Sequence, residues 1–264
     1  MKICSKLCFL LAGLTLWCAP LLHAQQYVTT VGIQFKPIIP SVFFRKDGYS
    51  STTPFYDGLK GQSGTLKVDM AARNGTSIGM VVRRGLNKRF SFEGGINMIT
   101  RNYTLNASVN DTLNWQSDLK WITYEIPLQL LVFVQLGEKT YLNAAGGMAI
   151  NFFPTDIQSQ DEDANYYQRT YRYRWISPNL IANVGFEYRT VSSGYFYIGA
   201  SYLQPFQNMA LTDFRYLAAV PDARAFNNLR GNYLTLDLRY FFHENPKSVT
   251  RKKLRDYKKS LEKK

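Results

Sequence analysis

The chain has 264 residues and a formal net charge of +13, from 32 Lys/Arg against 19 Asp/Glu. Its cysteines (Cys4, Cys8 and Cys18) all sit near the start, so the rest of the chain can hold no disulfide, thiolate metal site or thiol nucleophile. Residues 246–264 hold nine Lys/Arg against Asp256 and Glu262; with Lys2 and Lys6 set aside, residues 25–245 carry only +4, and a basic balance confined to one tail argues against nucleic acid as a partner.

Residues 1–24 have the layout of a secretory signal peptide. Lys2 and Lys6 precede an apolar run, Leu7–Trp17, and "LLHA" offers a small residue for cleavage after Ala24. That run is shorter than the roughly 20 residues of a membrane-spanning helix. Beyond it, the pattern changes to period two. The first predicted strand, 27–38, sets Val31, Ile33 and Phe35 against Gly32, Gln34 and Lys36. A long loop is expected over 39–74. Strands at 75–85 and 89–103 flank the short link "GLNK". In the second of them Phe90, Phe92, Ile96 and Met98 oppose Ser91, Glu93 and Asn97.

After a second loop, 104–118, comes the strongest alternation, "WITYEIPLQLLVFVQL" (121–136) within a strand at 119–135. Every even position from Ile122 to Leu136 is apolar, while Trp121, Thr123, Glu125, Pro127 and Gln129 begin the other face. Successive strand residues point to opposite faces, so one side is continuously greasy. At about 3.3 Å per residue, the run suits a tilted crossing of a hydrocarbon layer about 30 Å thick. The link "LGEK" leads to a strand at 140–153. A loop at 154–175 leads to a strand at 176–189, and "TVSSG" leads to one at 195–207. A last loop, 208–230, precedes the closing strand, 231–242.

Eight strands with short links at one end and long loops at the other form the pattern of a membrane barrel. Closure pairs every backbone group in lipid and removes the sheet edges. The expected fold is therefore all-β, an eight-stranded antiparallel up-and-down transmembrane β-barrel over 25–245, followed by a short basic tail, 246–264. A soluble barrel would turn the apolar faces inward; the unbroken apolar face and the asymmetry of the links favour lipid. Tyr27, Tyr103, Trp121, Tyr141, Trp175, Tyr195 and Tyr240, near strand ends, are expected in aromatic girdles.

Three segments, "VGIQFKPIIPSVFF" (31–44), "LNKRFSFEGGINM" (86–98) and "YEIPLQL" (124–130), resemble the PorT-type outer-membrane β-barrel family of the Bacteroidetes. The likeness covers about 27–242 and implies an outer-membrane barrel. The family is functionally mixed, with some members linked to protein secretion and gliding. The basic tail and the long first loop depart from its pattern.

On this fold the polar faces meet in the lumen, which eight strands leave only wide enough for side chains. The inward charges are Lys36, Arg83, Arg101, Arg189 and Arg239 against Glu93, Glu125, Glu187 and Asp237. Such a near balance is what a buried ion-pair network requires. The stretch Tyr166, Tyr167, Arg169, Tyr171, Arg172, Tyr173, Arg174 and Trp175 interleaves aromatics with Arg. It is a candidate contact surface, or else a hairpin extension of strands five and six. In the tail, Arg251, Lys252, Lys253, Arg255, Lys258 and Lys259 accompany Leu254, Tyr257 and Leu261 at helical spacing, so the tail reads either as a basic amphipathic helix or as a solvated end.

No catalytic, cofactor or metal residues are assigned. Beyond the signal peptide the chain keeps one His, His243, past the last strand and away from the rim where barrel enzymes act. The functional expectation is a non-enzymatic scaffold, adhesion or secretion/assembly component in the outer membrane, both termini periplasmic. Its expected partners are outer-membrane lipid and a periplasmic or outer-membrane protein. A small-solute pore and a lipid- or glycan-modifying enzyme are the alternative classes.

Overall fold

The computed structural model describes residues 29–40, 48–87, 89–160, 165–190 and 193–242, and every element among them is a strand. In chain order these are β1 (Thr29–Pro40), β2 (Gly48–Asp57), β3 (Gln62–Gly85), β4 (Phe90–Val109), β5 (Leu113–Gln135), β6 (Thr140–Phe152), β7 (Ile157–Gln160), β8 (Tyr166–Arg172), β9 (Ile176–Arg189), β10 (Tyr195–Pro205), β11 (Ala210–Tyr216), β12 (Ala223–Leu229) and β13 (Tyr233–Phe241). The expected signal peptide and the tail, including Arg251, Lys252, Lys253, Arg255, Lys258 and Lys259, lie outside the described residues.

Eight of these strands form the closed wall, in the order β1-β13-β10-β9-β6-β5-β4-β3, with β3 returning to β1. All neighbours are antiparallel, and the registers run without a break along most of the wall; Gly32 to Phe241 and Ile33 to Met80 are examples on the two sides of β1. The end carrying residues 29 and 241 is called proximal here, the other distal. The proximal links, 86–89, 136–139 and 190–194, are short, as the joining of adjacent antiparallel strands allows.

The wall is apolar outside and polar inside. Along β5 the even positions from Ile122 to Val134 point outward and are exposed or half-buried, while Thr123, Glu125 and Gln129 are buried inside. Ile78 of β3, Met98 of β4, Phe186 of β9, Ile198 of β10 and Leu238 of β13 extend the same exposed belt around the barrel. Fourteen residue steps from Ile122 to Leu136 cover about 46 Å of strand, or about 33 Å along the membrane normal at a tilt of about 45°. That height matches a hydrocarbon core. A depression of about 800 Å³ on this belt, among Ile33, Ile78, Phe186, Ile198 and Leu238, belongs to the lipid-facing surface.

Beyond the belt, the described parts of the expected long loops, 39–74, 104–118, 154–175 and 208–230, prove to be folded, which corrects the sequence reading there. β3, β4 and β5 continue well past the distal membrane boundary. The β4–β5 hairpin closes through Asn110, Asp111 and Thr112, the first two in the left-handed region at φ 52° and 54°; Asn and Asp tolerate that geometry in tight turns. The segments after β6 and β10 supply a second, four-stranded sheet in the order β12-β11-β8-β7. With β2 and the distal halves of β3 to β5 it wraps a closed apolar core, a distal cap.

Leu66, Val68, Met70, Leu105, Trp121 and Phe214 are fully buried in that core. Phe214 stacks on Tyr166 at 5.1 Å, and Trp115 lies against Tyr166 and Tyr216 at 5.6 and 5.7 Å. The seam between the two sheets is held by Gly58 N donating to Val220 O (2.8 Å) and Asn227 Nδ2 donating to Val68 O (3.2 Å).

Polarity therefore inverts along single strands. On β4 the outward residues change from Phe92, Ile96 and Met98 to Asn102, Thr104 and Asn106. The inward ones change from Ser91, Glu93 and Asn97 to Tyr103, Leu105 and Ala107. On β3 the inversion is made differently: a bulge between Arg73 and Thr76 turns the strand over, so even positions face inward before it (Leu66, Val68, Met70) and outward after it (Ile78, Met80, Val82). Bulges insert one residue and flip the facing of everything beyond. The girdle expectation is corrected in part. Tyr103 and Trp121 are buried in the cap, and Tyr141 and Tyr195 face the lumen. Trp175 and Tyr240 remain on the outside, and Tyr27 lies outside the described residues.

Candidate functional site

The lumen is where the wall strands bring the charged residues together. Alternation puts Lys36 on β1, Arg83 on β3, Glu93 on β4, Glu187 and Arg189 on β9, and Asp237 and Arg239 on β13 at inward positions. These seven form one chain of alternating sign. Lys36 Nζ lies 3.6 Å from Asp237 Oδ2, which also pairs with Arg239 Nη2 at 2.6 Å. Arg239 contacts Glu93, whose Oε2 lies 3.0 Å from Arg83 Nη2. Arg83 contacts Glu187, and Glu187 Oε1 pairs with Arg189 Nε at 2.7 Å.

Neutral donors complete the network. Asn143 Nδ2 donates to Glu187 at 3.1 Å, and Asn183 Nδ2 and Ser201 Oγ donate to Asp237 at 2.9 and 2.6 Å. Tyr197 lies across the inward faces of the paired Gly185 and Gly199, and its hydroxyl donates to Asn183 Oδ1 at 2.6 Å. A Cβ at Gly199 would meet the Tyr197 ring at 2.6 Å, so glycine here makes room for an aromatic inside a narrow barrel. These neutral residues carried only the weak signal of sharing an alternating face with charges.

Arg101 and Glu125 are inward but stand apart from the ionic chain. Arg101 Nη1 donates to Gly231 O at 3.0 Å and its guanidinium lies over the Tyr233 ring at 4.7 Å. Glu125 accepts from Asn97 Nδ2 and from the Tyr233 hydroxyl, both at 2.9 Å. For these two the expected ion pairing is replaced by contacts to neutral groups. The reason is height: both sit near the level of a buried apolar layer of Ile38, Ile99, Ala149, Ile181, Leu203 and Tyr233, which separates the ionic chain from the cap core. At the proximal end Arg83 lies over Phe241 (4.1 Å) and Arg189 over Tyr141 (4.0 Å). From proximal rim to cap the interior is filled by side chains. The described residues include no cluster of three His, Cys, Asp or Glu placed to hold a metal.

The aromatic and Arg stretch is split by the fold. Tyr166 is a cap core residue, and Arg172 turns back to the chain, its Nη1 donating to Phe153 O (2.5 Å) and Pro154 O (2.6 Å). Burial corrects Tyr166 from contact surface to core, while Arg172 stays half-buried and tied to the chain. Arg169 Nη2 reaches Asp156 at 3.3 Å and its guanidinium covers the Tyr171 ring at 4.7 Å. β8 pairs with β7 and β11, not as a simple hairpin extension of the wall. Tyr167 is half-buried, while Tyr173, Arg174 and Trp175 are exposed beside the distal end of β9, with the Tyr173 hydroxyl donating to Asn228 Oδ1 at 2.5 Å.

No family model matches this chain, and no curated protein does. Among solved structures it is similar to the outer membrane protein OprG from Pseudomonas aeruginosa, at 12% identity and a TM-score of 0.53, over 84% of this chain and 98% of that one. It also aligns with the transport unit of the autotransporter AIDA-I from Escherichia coli, at 10% identity and a TM-score of 0.30, over 87% and 94% of the two chains. At 12% identity the likeness to OprG bears on the fold, an eight-stranded membrane barrel.

Proposed function

We propose that this protein is a PorT-type outer-membrane barrel that works as a non-enzymatic scaffold, with both termini in the periplasm and the cap on the cell exterior. The observation that carries the reading is the filled interior. A barrel whose lumen holds an alternating ionic chain, an apolar layer and a solid cap core offers rigidity rather than a path. The likeness to OprG supports the membrane, and the short proximal links support placing that end in the periplasm. A folded cap of two packed sheets gives the scaffold an exterior face, and the basic tail gives it a periplasmic one. Its partner is a periplasmic or outer-membrane protein; nucleic acid has no part in this reading. Affinity purification of a tagged copy from mild detergent tests it. A reproducible stoichiometric partner is the expected result, and recovery as a solitary monomer from cells at native expression would overturn the scaffold role.

A further inference from the structure

On β3, β4 and β5, the outward rows are set by register. Ile78 pairs with Met98, and Thr76, Thr100 and Ile122 form the last row of the belt. The next row is Arg73, Asn102 and Lys120, and Asp118 with Thr104 stands in the one after. Two residues on a strand advance about 7 Å, so these polar groups begin one step beyond the hydrocarbon.

Among the described residues the strand pairing is also interrupted here. β3 exchanges its partner from β1, last paired at Gly75, to β2, first paired at Ala71, and the bulge falls in this gap. Arg73, Asn74, Asn102, Asp118 and Lys120 line a surface depression of about 490 Å³. Arg73 and Asn102 also border a smaller recess, about 20 Å³, that reaches in to Arg101. Arg101 is 5% exposed, and its Nε and Nη2 have no hydrogen-bond partner among the described residues. A buried guanidinium with idle donors needs an acceptor, because an unsatisfied buried charge is costly.

Among the described residues the charges at this spot are three bases, Arg73, Arg101 and Lys120, against Asp118. Asp118 is occupied: it accepts from Thr104 Oγ1 at 2.9 Å and pairs with Arg73 Nη1 at 2.7 Å. Lys120 is exposed and has no ion pair among the described residues. Directly below lie the exposed Ile78, Met98 and Ile122.

From this juxtaposition we infer that the β3 bulge is a binding site for the phosphorylated headgroup of a membrane lipid in the distal leaflet. The phosphate sits between Arg73 and Lys120, its inner oxygens face the recess below Arg101, and the acyl chains run down over Ile122, Met98 and Ile78. A soluble anion would use the bases but gain nothing from the apolar row beneath them; a lipid uses both. The inference rests on the outer-membrane reading only for the identity of the leaflet.

The test uses the full purified chain in neutral detergent micelles doped with phosphatidic acid, with bound lipids counted by native mass spectrometry. Diacylglycerol with the same acyl chains and inorganic phosphate serve as the two controls. Phosphatidic acid should bind at one saturable site. Lys120→Gln should weaken it about fivefold, the weight of one cation near a charged lipid surface, and Arg73→Gln should do the same. Asp118→Asn should strengthen it by a similar factor, an outcome that damage to the fold would not produce. Unchanged affinity in Lys120→Gln overturns the inference, and so does diacylglycerol binding as well as phosphatidic acid. Displacement of the lipid by equimolar inorganic phosphate would replace the lipid site with a soluble-anion site. Surface labelling of intact cells at a cysteine placed in the cap separately tests which leaflet is meant, and its failure leaves the micelle result standing.

Discussion

Glu93→Gln isolates the electrostatics of the lumen, because the two side chains have nearly the same shape. Glu93 is fully buried and is the central acid of the chain, touching Arg239 on one side and Arg83 Nη2, at 3.0 Å, on the other. In the wild type four bases (Lys36, Arg239, Arg83, Arg189) face three acids (Asp237, Glu93, Glu187) along this chain. Neutralising Glu93 leaves four against two. Removing one partner of a buried pair costs about 3–5 kcal/mol. Arg83 keeps Glu187 and Arg239 keeps Asp237, so the lower end applies, about 3 kcal/mol, or roughly a hundredfold in the folding equilibrium. Urea unfolding of the refolded barrel in micelles measures it. The double variant Glu93→Gln/Arg239→Gln restores the difference to one charge, and should cost less than the sum of its single variants by about 1–3 kcal/mol. A loss below about 1 kcal/mol in Glu93→Gln, or strict additivity in the double variant, would refute the claim that the ionic chain acts as a unit.

The purified protein in planar bilayers should show no conductance steps of porin size, since side chains fill the lumen. Leu128→Arg, in the middle of the outward run of β5, should destabilise the inserted barrel by about 2–4 kcal/mol. Gln116→Arg on the same strand, outside the cap, should stay within about 0.5 kcal/mol of wild type, and equal effects in urea titrations would contradict the boundary drawn between them. Phe214→Ala should cost the cap about 3–5 kcal/mol, read as faster proteolysis at β11 and β12 while the barrel keeps its heat-modifiable mobility in SDS gels. The Thr104 hydroxyl, and after it Arg73, hold the Asp118 carboxyl below the usual carboxylate range. The linked stability is present above the unfolded-state value and fades as pH falls through the lower folded one. Thr104→Val should therefore raise the Asp118 titration midpoint seen by carboxyl-carbon NMR.

How much of this is legible before folding depends on parity. Where an apolar set holds one parity over a bilayer's width, as from Ile122 to Leu136, alternation alone locates the crossing, and all eight crossings can be found in this way. The inward charges follow as the complementary set. The cap escapes the same logic because its apolar residues fall on the opposite face. Tyr103, Leu105, Ala107 and Val109 alternate clearly, yet the polar Thr104 and Asn106 between them make the stretch resemble a loop. In β3 the apolar even positions run on through Leu66, Val68, Met70, Ile78 and Met80, and only the bulge reveals that their facing reverses. β12 carries its inward face largely on Ala223 and Ala225, whose small side chains give little hydrophobic contrast. Pairing partners such as Arg83 with Glu187 were beyond reach, because register across 104 residues of chain is set by tertiary closure.

The inversion of polarity on β3, β4 and β5 also acts as a depth gauge. Sinking the barrel by one row, about 7 Å of strand, would draw Arg73 and Lys120 into hydrocarbon. Raising it by one row would expose the lower belt to water. A basic residue costs up to about 2–4 kcal/mol at the midplane and less near an interface, so each row of displacement is opposed by several side chains at once. The cap is built on the continuations of those strands, so its height above the lipid follows from theirs. Whatever meets it does so at one standoff from the membrane surface.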